Sequence, residues 1–205
     1  MTRFTSHWEK VYIENSALET SWYEESPAVS LELLELTGMN ADTSVIDVGA
    51  GRSSLPATLV GRGVGDVSAL DISAEALRQL DDANGRVARV VADVTEWRPA
   101  RTFDRWHDRA VLHFLHSEQT LAYRDTLLNA LNPRGSLVIG VFADTGPESC
   151  SGLPVTRYSE TDLVTWLGEP FDIVTTRRHT HHTPWSSAQD FVWVVARRRD
   201  PVVFQ

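Results

Sequence analysis

The chain has 205 residues, 42% of them hydrophobic and 23% charged, which is ordinary for a globular domain that buries its own core. A formal net charge of -9 argues against a surface built for phosphate backbones, so no nucleic-acid partner is expected. The single cysteine excludes an internal disulfide. No signal-like or membrane-length apolar run is visible, which indicates a cytoplasmic protein without membrane contact.

Two helices are predicted ahead of the first strand. Apolar residues at helical spacing place one helix over residues 5–12, and Ser26 as a cap begins a second helix that stops at Gly38. Trp22 and Tyr23 lie side by side between these helices. The segment either packs against the main domain or closes over a ligand as a lid, and the sequence leaves both interpretations open.

The stretch from Val45 to Val60, VIDVGAGRSSLPATLV, is the part around which the chain is organised. Its apolar start suits a buried strand, Gly49 and Gly51 suit a tight turn, and a helical pattern follows. Glycines that let a ligand approach, next to free N–H groups of a helix, predict a ligand site here. A dinucleotide fingerprint would need glycine at Ser54, so Asp47 ahead of two glycines favours a cofactor without a pyrophosphate.

Strand and helix patterns alternate through the middle of the chain. The predicted strands cover residues 66–73, 86–93, 103 to about 108, and 136–142. The predicted helices between them cover residues 74–84 and 118–131. This alternation is typical of a parallel sheet with helices on both faces.

The last quarter of the chain has a different pattern. A short helix over residues 161–167 precedes two strands, at 171–180 and 190–198, which are joined by a loop and should pair antiparallel. No composition shift marks a second domain. We therefore expect one domain, with residues 1–40 as a helical cap and residues 41–205 as the core.

In this order, the motifs resemble those of class I S-adenosylmethionine-dependent methyltransferases, specifically the bacterial type 12 methyltransferase-like proteins. The matching motifs are VIDVGAGRSS, ALDIS, VVADVTEW, FDRWHDRAVLHFL, LNPRGSLVIG and the closing antiparallel pair. The resemblance covers nearly the whole chain. It implies an α/β fold, a doubly wound Rossmann-like sheet of seven strands, mostly parallel with an antiparallel last strand, and S-adenosyl-L-methionine as cofactor.

The resemblance also implies a set of cofactor contacts. From the methionine end to the adenine these residues are Asp47, Gly49, Gly51, Arg52, Ser53, Asp71, Ile72, Asp93 and Val94, with Asp108 facing the methyl group. Asp71 would hold the ribose, because a carboxylate can accept hydrogen bonds from two neighbouring hydroxyls. In the simpler interpretation, Asp71 and Asp93 only cap the helices that follow their strands.

Methyl transfer needs an in-line nucleophile, and it needs a base only if the acceptor loses a proton. The candidates near the fourth strand are His107, Asp108, His113 and His116, of which Asp108 and His113 are assigned as catalytic. Packing is the alternative for each histidine. The histidines at 179, 181 and 182 lack a suitably spaced carboxylate or cysteine, so no metal is predicted, and Cys150 is expected to pack or touch substrate.

The acceptor is expected to be a small molecule methylated on an O, N or S atom, enclosed by Trp22, Tyr23 and Trp185. The alternative is a lysine of a partner protein, because HWEKVY followed by SWY is similar to the opening of some lysine methyltransferases, and acidic residues beside aromatic ones suit an ammonium group. A nicotinamide-dependent oxidoreductase on a similar sheet is a third, disfavoured hypothesis.

Overall fold

The computed structural model describes residues 3–200. The helices are α1 Arg3–Glu14, α2 Ala28–Glu35, α3 Leu55–Gly61, α4 Ala74–Gln79, α5 Glu118–Ala130 and α6 Glu160–Leu167, with single 3-10 turns at Ala17–Glu19 and Leu112–Phe114. The strands are β1 Ser44–Val48, β2 Asp66–Asp71, β3 Val87–Val91, β4 Phe103–Arg109, β5 Leu131–Phe142, β6 Ser149–Cys150, β7 Leu153–Pro154, β8 Phe171–His182 and β9 Ala188–Arg198.

The main sheet has seven strands in the order β3-β2-β1-β4-β5-β9-β8. All pairings among the first five are parallel, whereas β9 runs antiparallel to both β5 and β8. This confirms the predicted Rossmann-like sheet with an antiparallel last strand. The strand order reverses between β1 and β4, and open parallel sheets bind ligands at the carboxyl ends of the strands beside such a reversal.

Buried side chains form one cluster on each face of the sheet. Val45 belongs to one cluster and Ile46 to the other, because successive residues of a strand point to opposite faces. The cluster with Val45 includes residues of α2, α3 and α4, and the cluster with Ile46 includes residues of α5 and α6. Helices therefore cover both faces, as the alternating pattern predicts. No helix in the described part of the chain has the length and apolarity that crossing a membrane requires.

Several predicted boundaries are wrong by a few residues. Pro27, not Ser26, is the N-cap of α2, and that helix ends at Glu35 instead of Gly38. α4 stops at Gln79 instead of continuing to residue 84, since Leu80 turns to an extended conformation and buries its side chain in the core. Helical propensity continues beyond that point, but burial of one apolar side chain outweighs it.

Two predicted strand ends also differ from the structure. β3 ends at Val91, so Asp93 follows the strand by two residues instead of closing it. The turn predicted at 132–135 lies inside β5, which begins at Leu131, and the pairing with β4 shifts register between Phe103 and Arg105 at this point. The residues read as a turn thus form an irregular start of the strand, as bulges do.

The seam between β5 and β9 leads to a stability test. Gly140 pairs with Trp193, and a Cβ atom added at Gly140 would lie 2.6 Å from atoms of the buried indole ring. We expect Gly140→Ala to lower the free energy of unfolding by about 1–3 kcal/mol, because overpacking forces neighbouring side chains to move. Urea unfolding followed by tryptophan fluorescence measures this loss.

Gly61→Ala is the matched control for that test. Gly61 ends α3, and a Cβ atom there has no neighbour within 4 Å. Alanine in a helix is favoured over glycine, so this variant should be unchanged or more stable by up to about 1 kcal/mol. Equal stability of the two variants would contradict the tight packing of Trp193 on Gly140.

Candidate functional site

A deep cleft opens at the carboxyl ends of β1, β2 and β4, where the strand order reverses, and has an empty volume of about 1370 Å³ counted out to its mouth. The core contributes residues from the strand ends and the turns after them: Asp47, Val48, Gly49, Ala50, Arg52, Ser53, Asp71, Ile72, Asp93, Val94, His107 and Arg109. The N-terminal segment contributes Phe4, Trp8, Tyr12, Trp22, Tyr23, Glu24 and Ser30. The cleft therefore lies between the sheet edge and the helical cap.

The turn after β1 requires glycine for two reasons. Gly49 and Gly51 have φ angles of 66° and 55°, a region that side chains disfavour. A Cβ atom at Gly49 would also collide with Val111, and one at Gly51 would collide with the hydroxyl of Tyr12. Tyr12 lies on α1, so the cap packs directly on the turn. Gly51 itself does not line the cleft but supports its wall.

Asp71 holds this turn from the end of β2. One carboxylate oxygen accepts the backbone N–H of Gly51 at 2.8 Å, and the other accepts the backbone N–H of Ser73 at 2.8 Å. The residue is 5% exposed, and burial, with the nearby charge of Asp47, raises the pKa of Asp71 to about 6. Ser73, not Asp71, is the N-cap of α4, because its hydroxyl accepts from Ala76. Asp71 therefore lines the cleft without serving as the helix cap.

Asp93 lines the cleft and organises a turn, but residues 92–102 contain no helix for it to cap, so the helix-cap interpretation is wrong at this position. Its carboxylate accepts hydrogen bonds from the backbone N–H of Thr95 at 2.9 Å and from the hydroxyl of Thr95 at 2.7 Å, which organises the turn after β3. The side chain also lines the cleft, next to Val94, and Ile72 lies across from them after β2. A turn role and a ligand role are therefore compatible at this position.

Three buried polar atoms at or beside the glycine turn have no hydrogen-bond partner among residues 3–200: Oδ2 of Asp47, Nη2 of Arg52 and the hydroxyl of Ser54. All three residues line the cleft, and two of them, Asp47 and Arg52, are charged. The other terminal nitrogen of Arg52 donates to the carbonyl of Asn15 at 2.8 Å and to Gln79 at 2.9 Å. Because unpaired buried polar groups are costly, the atoms of Asp47 and Arg52 indicate a ligand that offers a donor to one and an acceptor to the other.

A buried chain of polar groups runs from β1 through β4 to α2. Oδ1 of Asp47 lies 2.7 Å from Nδ1 of His107, and Nε2 of His107 lies 2.9 Å from the hydroxyl of Ser30. The three residues are almost fully buried and all line the cleft. An ionised carboxylate only accepts hydrogen bonds, so Nδ1 carries the imidazole proton and Nε2 accepts from Ser30.

The structure contradicts the placement of Asp108 at the methyl group. Asp108 lies inside β4, is 0% exposed and does not line the cleft. Its carboxylate accepts hydrogen bonds from the hydroxyl of Tyr123 at 2.6 Å and from the backbone N–H groups of Val111 and Leu112. β4 continues to Arg109, so alternation along the strand sends His107 to the cleft face and Asp108 to the α5 face.

His113 is also placed away from the cleft. Its imidazole is fully buried between the rings of Phe114 and Phe142, and Nδ1 accepts the backbone N–H of Phe142 at 3.2 Å. Burial, with the charge of Arg109, lowers the pKa of His113 to about 3. A group that resists protonation in this way is a poor proton acceptor, so the geometry contradicts the assignment of His113 as catalytic.

The three predicted acceptor residues have different outcomes. Trp22 and Tyr23 line the cleft, and their contact with an acceptor stays a prediction. Trp185 is 55% exposed in the loop between β8 and β9 and does not line the cleft, so its assignment is wrong. The assignment of Trp185 rests on its position after the histidines at 179, 181 and 182, but this closeness in sequence does not determine whether the loop faces the cleft.

His181, close to Trp185 in the sequence, and Cys150, in β6, both have structural surroundings that explain them. Nε2 of His181 donates to the carbonyl of Ser21 at 2.7 Å and so ties β8 to the N-terminal segment. Cys150 lines the cleft, but burial raises the pKa of its thiol to about 11. A protonated thiol is a weak nucleophile, which fits the packing interpretation.

Sequence reasoning missed Arg109 as a cleft residue and underrated its partner Glu24. Nη2 of Arg109 lies 3.1 Å from Oε1 of Glu24, and Nη1 donates to the carbonyl of Trp22 at 2.9 Å. Arg109 follows His107 by two residues on the same strand, so a correct reading of strand parity would have found it. Ser30 was missed too, although a lone serine among apolar residues on α2 is a visible signal.

Comparison with known proteins agrees with this geometry. Residues 45–135 match the family model described as a methyltransferase domain, whereas no curated protein matches the chain significantly. N-methyltransferase NodS from Bradyrhizobium japonicum WM9, solved with S-adenosyl-L-homocysteine, has a TM-score of 0.74 at 18% identity, and the match covers 95% of this chain and 100% of NodS.

Two further solved structures are similar. One is the 1,6-didemethyltoxoflavin-N1-methyltransferase of Burkholderia thailandensis, solved with 1,6-didemethyltoxoflavin and S-adenosylhomocysteine, with a TM-score of 0.71 at 24% identity over 96% of this chain and 86% of that one. The other comes from work on the conversion of a disulfide bond into a thioacetal group during echinomycin biosynthesis, with a TM-score of 0.71 at 23% identity over 95% and 93%.

The sheet topology and the similar solved structures show the Rossmann-like fold of S-adenosylmethionine-dependent methyltransferases. The match to the methyltransferase-domain model covers residues 45–135, the part of the chain that contains the glycine turn and β1 to β4. The narrower assignment to the type 12 subfamily stays a prediction.

The buried network of Asp108 gives a test of its structural role. Nε1 of Trp106 donates to the hydroxyl of Tyr123 at 2.9 Å, and that hydroxyl donates to Asp108. We expect Tyr123→Phe to lower the free energy of unfolding by about 1–3 kcal/mol, because the indole N–H and the carboxylate each lose a buried partner. Chemical unfolding measures the loss, and affinity for S-adenosylhomocysteine should stay within about twofold by the same principle.

Tyr158→Phe is the matched control, because the hydroxyl of Tyr158 makes no hydrogen bond within residues 3–200. It should cost less than about 0.5 kcal/mol. A large loss of ligand affinity in Tyr123→Phe at unchanged stability would mean that Asp108 acts in the site after all.

Proposed function

We propose that the protein binds S-adenosylmethionine in the cleft and transfers its methyl group to an O, N or S atom of a small-molecule acceptor. The observation that carries this proposal is the pair of unpartnered buried atoms on charged side chains at the glycine turn, Oδ2 of Asp47 and Nη2 of Arg52. They have opposite charge, with Asp47 near the end of β1 and Arg52 in the turn that follows it. The α-amino and α-carboxylate groups of a methionine moiety supply the matching donor and acceptor.

The residues after β2 and β3 fit the other end of the cofactor. Asp71 has both oxygens on backbone donors, and each oxygen keeps a lone pair that a ribose hydroxyl can use. Ile72 offers an apolar surface and Asp93 a carboxylate to an adenine and its amino group. The cofactor supplies an electrophilic methyl group on a sulfonium. The chain holds the two ends of that cofactor, excludes water and orients the acceptor.

The cap supports the acceptor role. Trp8 packs edge-on against Trp22, with ring centroids 5.7 Å apart, and against Phe114 at 5.1 Å. With Tyr23 these rings form an apolar wall over the part of the cleft that contains His107 and Arg109. Such a wall suits a flat or largely apolar small molecule. The neighbour from Burkholderia thailandensis, solved with 1,6-didemethyltoxoflavin bound, is compatible with an acceptor of this kind.

The alternative acceptor, a lysine of a partner protein, is less favoured. It depends on an acidic group that is free to attract an ammonium ion, and Glu24, the acid that the N-terminal segment contributes to the cleft, is already paired with Arg109 at 3.1 Å. The third hypothesis, a nicotinamide-dependent oxidoreductase, lacks support at Ser54, where its fingerprint needs glycine.

Calorimetric titration of the purified chain tests the cofactor. S-adenosylmethionine and S-adenosylhomocysteine should each bind with one site per chain, and a nicotinamide dinucleotide should not. Asp71→Ala and Arg52→Ala, at opposite ends of the proposed site, should each weaken binding about tenfold or more, as expected for lost hydrogen bonds to charged groups.

Asp66→Ala is the control for those variants. Asp66 begins the same strand, β2, but is exposed and pairs with Arg101 on the surface at 2.7 Å. Its affinity for S-adenosylhomocysteine should equal that of the wild type. No binding by the wild type, or binding of the dinucleotide in its place, would refute the proposal.

The raised pKa of Asp71 predicts a pH dependence of binding. Burial holds this pKa at about 6, and the carboxylate, not the neutral acid, is the better acceptor for ribose hydroxyls. Protonation below pH 6 should therefore weaken S-adenosylhomocysteine binding, by about tenfold between pH 7 and pH 5. In Asp71→Asn, whose side chain does not titrate, the affinity should be lower but level across that interval.

Labelled cofactor distinguishes the acceptor classes. The enzyme is incubated with a cell extract and S-adenosylmethionine carrying an isotopic methyl group, and proteins and small molecules are then analysed separately by mass spectrometry. Label in small molecules supports the proposal, whereas label confined to protein favours the lysine alternative. A parallel incubation with Asp71→Ala measures the background labelling by the extract itself, which is then subtracted.

A further inference from the structure

The chain from Asp47 to Ser30 has a chemical capacity that cofactor binding does not use. Asp47 contacts Nδ1 of His107 through Oδ1, which leaves Oδ2 free for the cofactor. The proton is fixed on Nδ1, so Nε2 presents its lone pair toward Ser30. An imidazole held by a carboxylate on one side and by a hydroxyl on the other is an oriented proton acceptor.

The imidazole of His107 lies at the part of the cleft where the methionine moiety is proposed to bind. Asp47 and His107 pair directly between β1 and β4, beside the turn proposed for the methionine moiety. Ser30 reaches the same place from α2, under the aromatic wall of the cap. Asp47, His107 and Ser30 therefore all line the cleft next to the turn proposed for the methionine moiety.

We propose that His107 is the general base of the methyl transfer, with Asp47 as a positioning residue, and that the acceptor carries a proton on the atom that is methylated. This inference rests on the proposed function. The acceptor is then a hydroxyl, a thiol or an N–H compound, not a carbon centre that lacks an acidic proton or a tertiary amine.

The proton and the electrons balance in this step. The acceptor atom forms a bond to the methyl carbon, the carbon–sulfur bond of S-adenosylmethionine breaks, and its electron pair stays on sulfur. The acceptor proton passes to the oxygen of Ser30 while the hydroxyl proton of Ser30 passes to Nε2 of His107. The positive charge thus moves from sulfur to the imidazolium, where the carboxylate of Asp47 stabilises it.

Negative groups around His107 stabilise a transient positive charge on its imidazole, and one positive group opposes it. Asp47 faces it from β1 and stabilises the cation, and Glu24 and Asp108 interact with it as negative charges. Arg109 lies two residues along the same face of β4 and opposes a second positive charge, while the ring of Trp193 on β9 lies 6.2 Å away. Asp47 and Ser30 contact the two ring nitrogens of His107, and these groups can serve both the neutral imidazole before the transfer and the imidazolium after it.

His107→Asn tests the base without removing the contact to Asp47, because the amide N–H of asparagine can donate to that carboxylate but offers no basic nitrogen. The reaction uses labelled S-adenosylmethionine with the small-molecule fraction of a cell extract as acceptor source. We expect the rate of labelled product formation to fall about 100-fold or more. S-adenosylhomocysteine affinity, measured by calorimetry, should stay within about threefold.

The pH profile separates a base from a structural residue. The wild type and His107→Asn should differ in the pH dependence of the rate, because without a basic nitrogen at position 107 only ionisation of the acceptor itself promotes the reaction. His179→Gln, on β8 and outside the cleft, is the control and should retain the wild-type rate and profile. A variant with unchanged rate and profile would overturn the inference.

One readout does not depend on finding an active extract, and a second uses the product of the labelled reaction. Nitrogen-15 spectra of histidine should place the neutral-state proton of His107 on Nδ1 in the wild type, and a proton on Nε2 would overturn the inference. The product of the labelled reaction must also carry its methyl group on an O, N or S atom that bore a proton, so a methylated carbon would overturn it. Failure of both cofactor ligands to bind instead refutes the proposed function.

Discussion

The whole site depends on the parallel pairing of β1 with β4, in which Asp47 stands directly opposite His107. This pairing brings two carboxyl ends to the edge where the strand order reverses, and the register decides which side chains reach the cleft. It sends Asp47, His107 and Arg109 to the side of the cap and Trp106 and Asp108 to the side of α5. A slip of one residue would exchange the two sets.

Most of the fold follows from hydrophobic periodicity. The strands at β1, β2 and β4 and the helices between them have unambiguous patterns, and the terminal hairpin is evident because no helix separates its strands. Element ends were harder to predict. Leu80 leaves its helix to bury an apolar side chain, and the start of β5 at Leu131 depends on pairing with Phe103, which lies 28 positions earlier. Neither effect is local in sequence.

Some residues of the candidate site can be predicted from local sequence and others cannot. The residues that follow a strand or sit in a glycine turn, such as Asp47, Asp71 and Asp93, could be found by motif because their position along the chain fixes their position in space. Asp108 could not, since its role depends on whether β4 ends before or after it. The strand ends at Arg109, about one residue later than predicted, which is within the usual error of boundaries, and one residue is enough to misassign a face.

The contacts of α1 have a consequence for the rate of the proposed reaction. The carboxylate of Glu9 accepts the backbone N–H of Ala74 at 2.6 Å, Gln79 donates to the carbonyl of Tyr12 at 3.0 Å, and Arg52 donates to the carbonyl of Asn15. These segments lie beside the proposed cofactor site, so, if the cofactor binds there, α1 would have to detach from them before the demethylated product could leave. Turnover would then be limited by the residence time of the demethylated product under a closed helix, and methyl transfer itself could be fast.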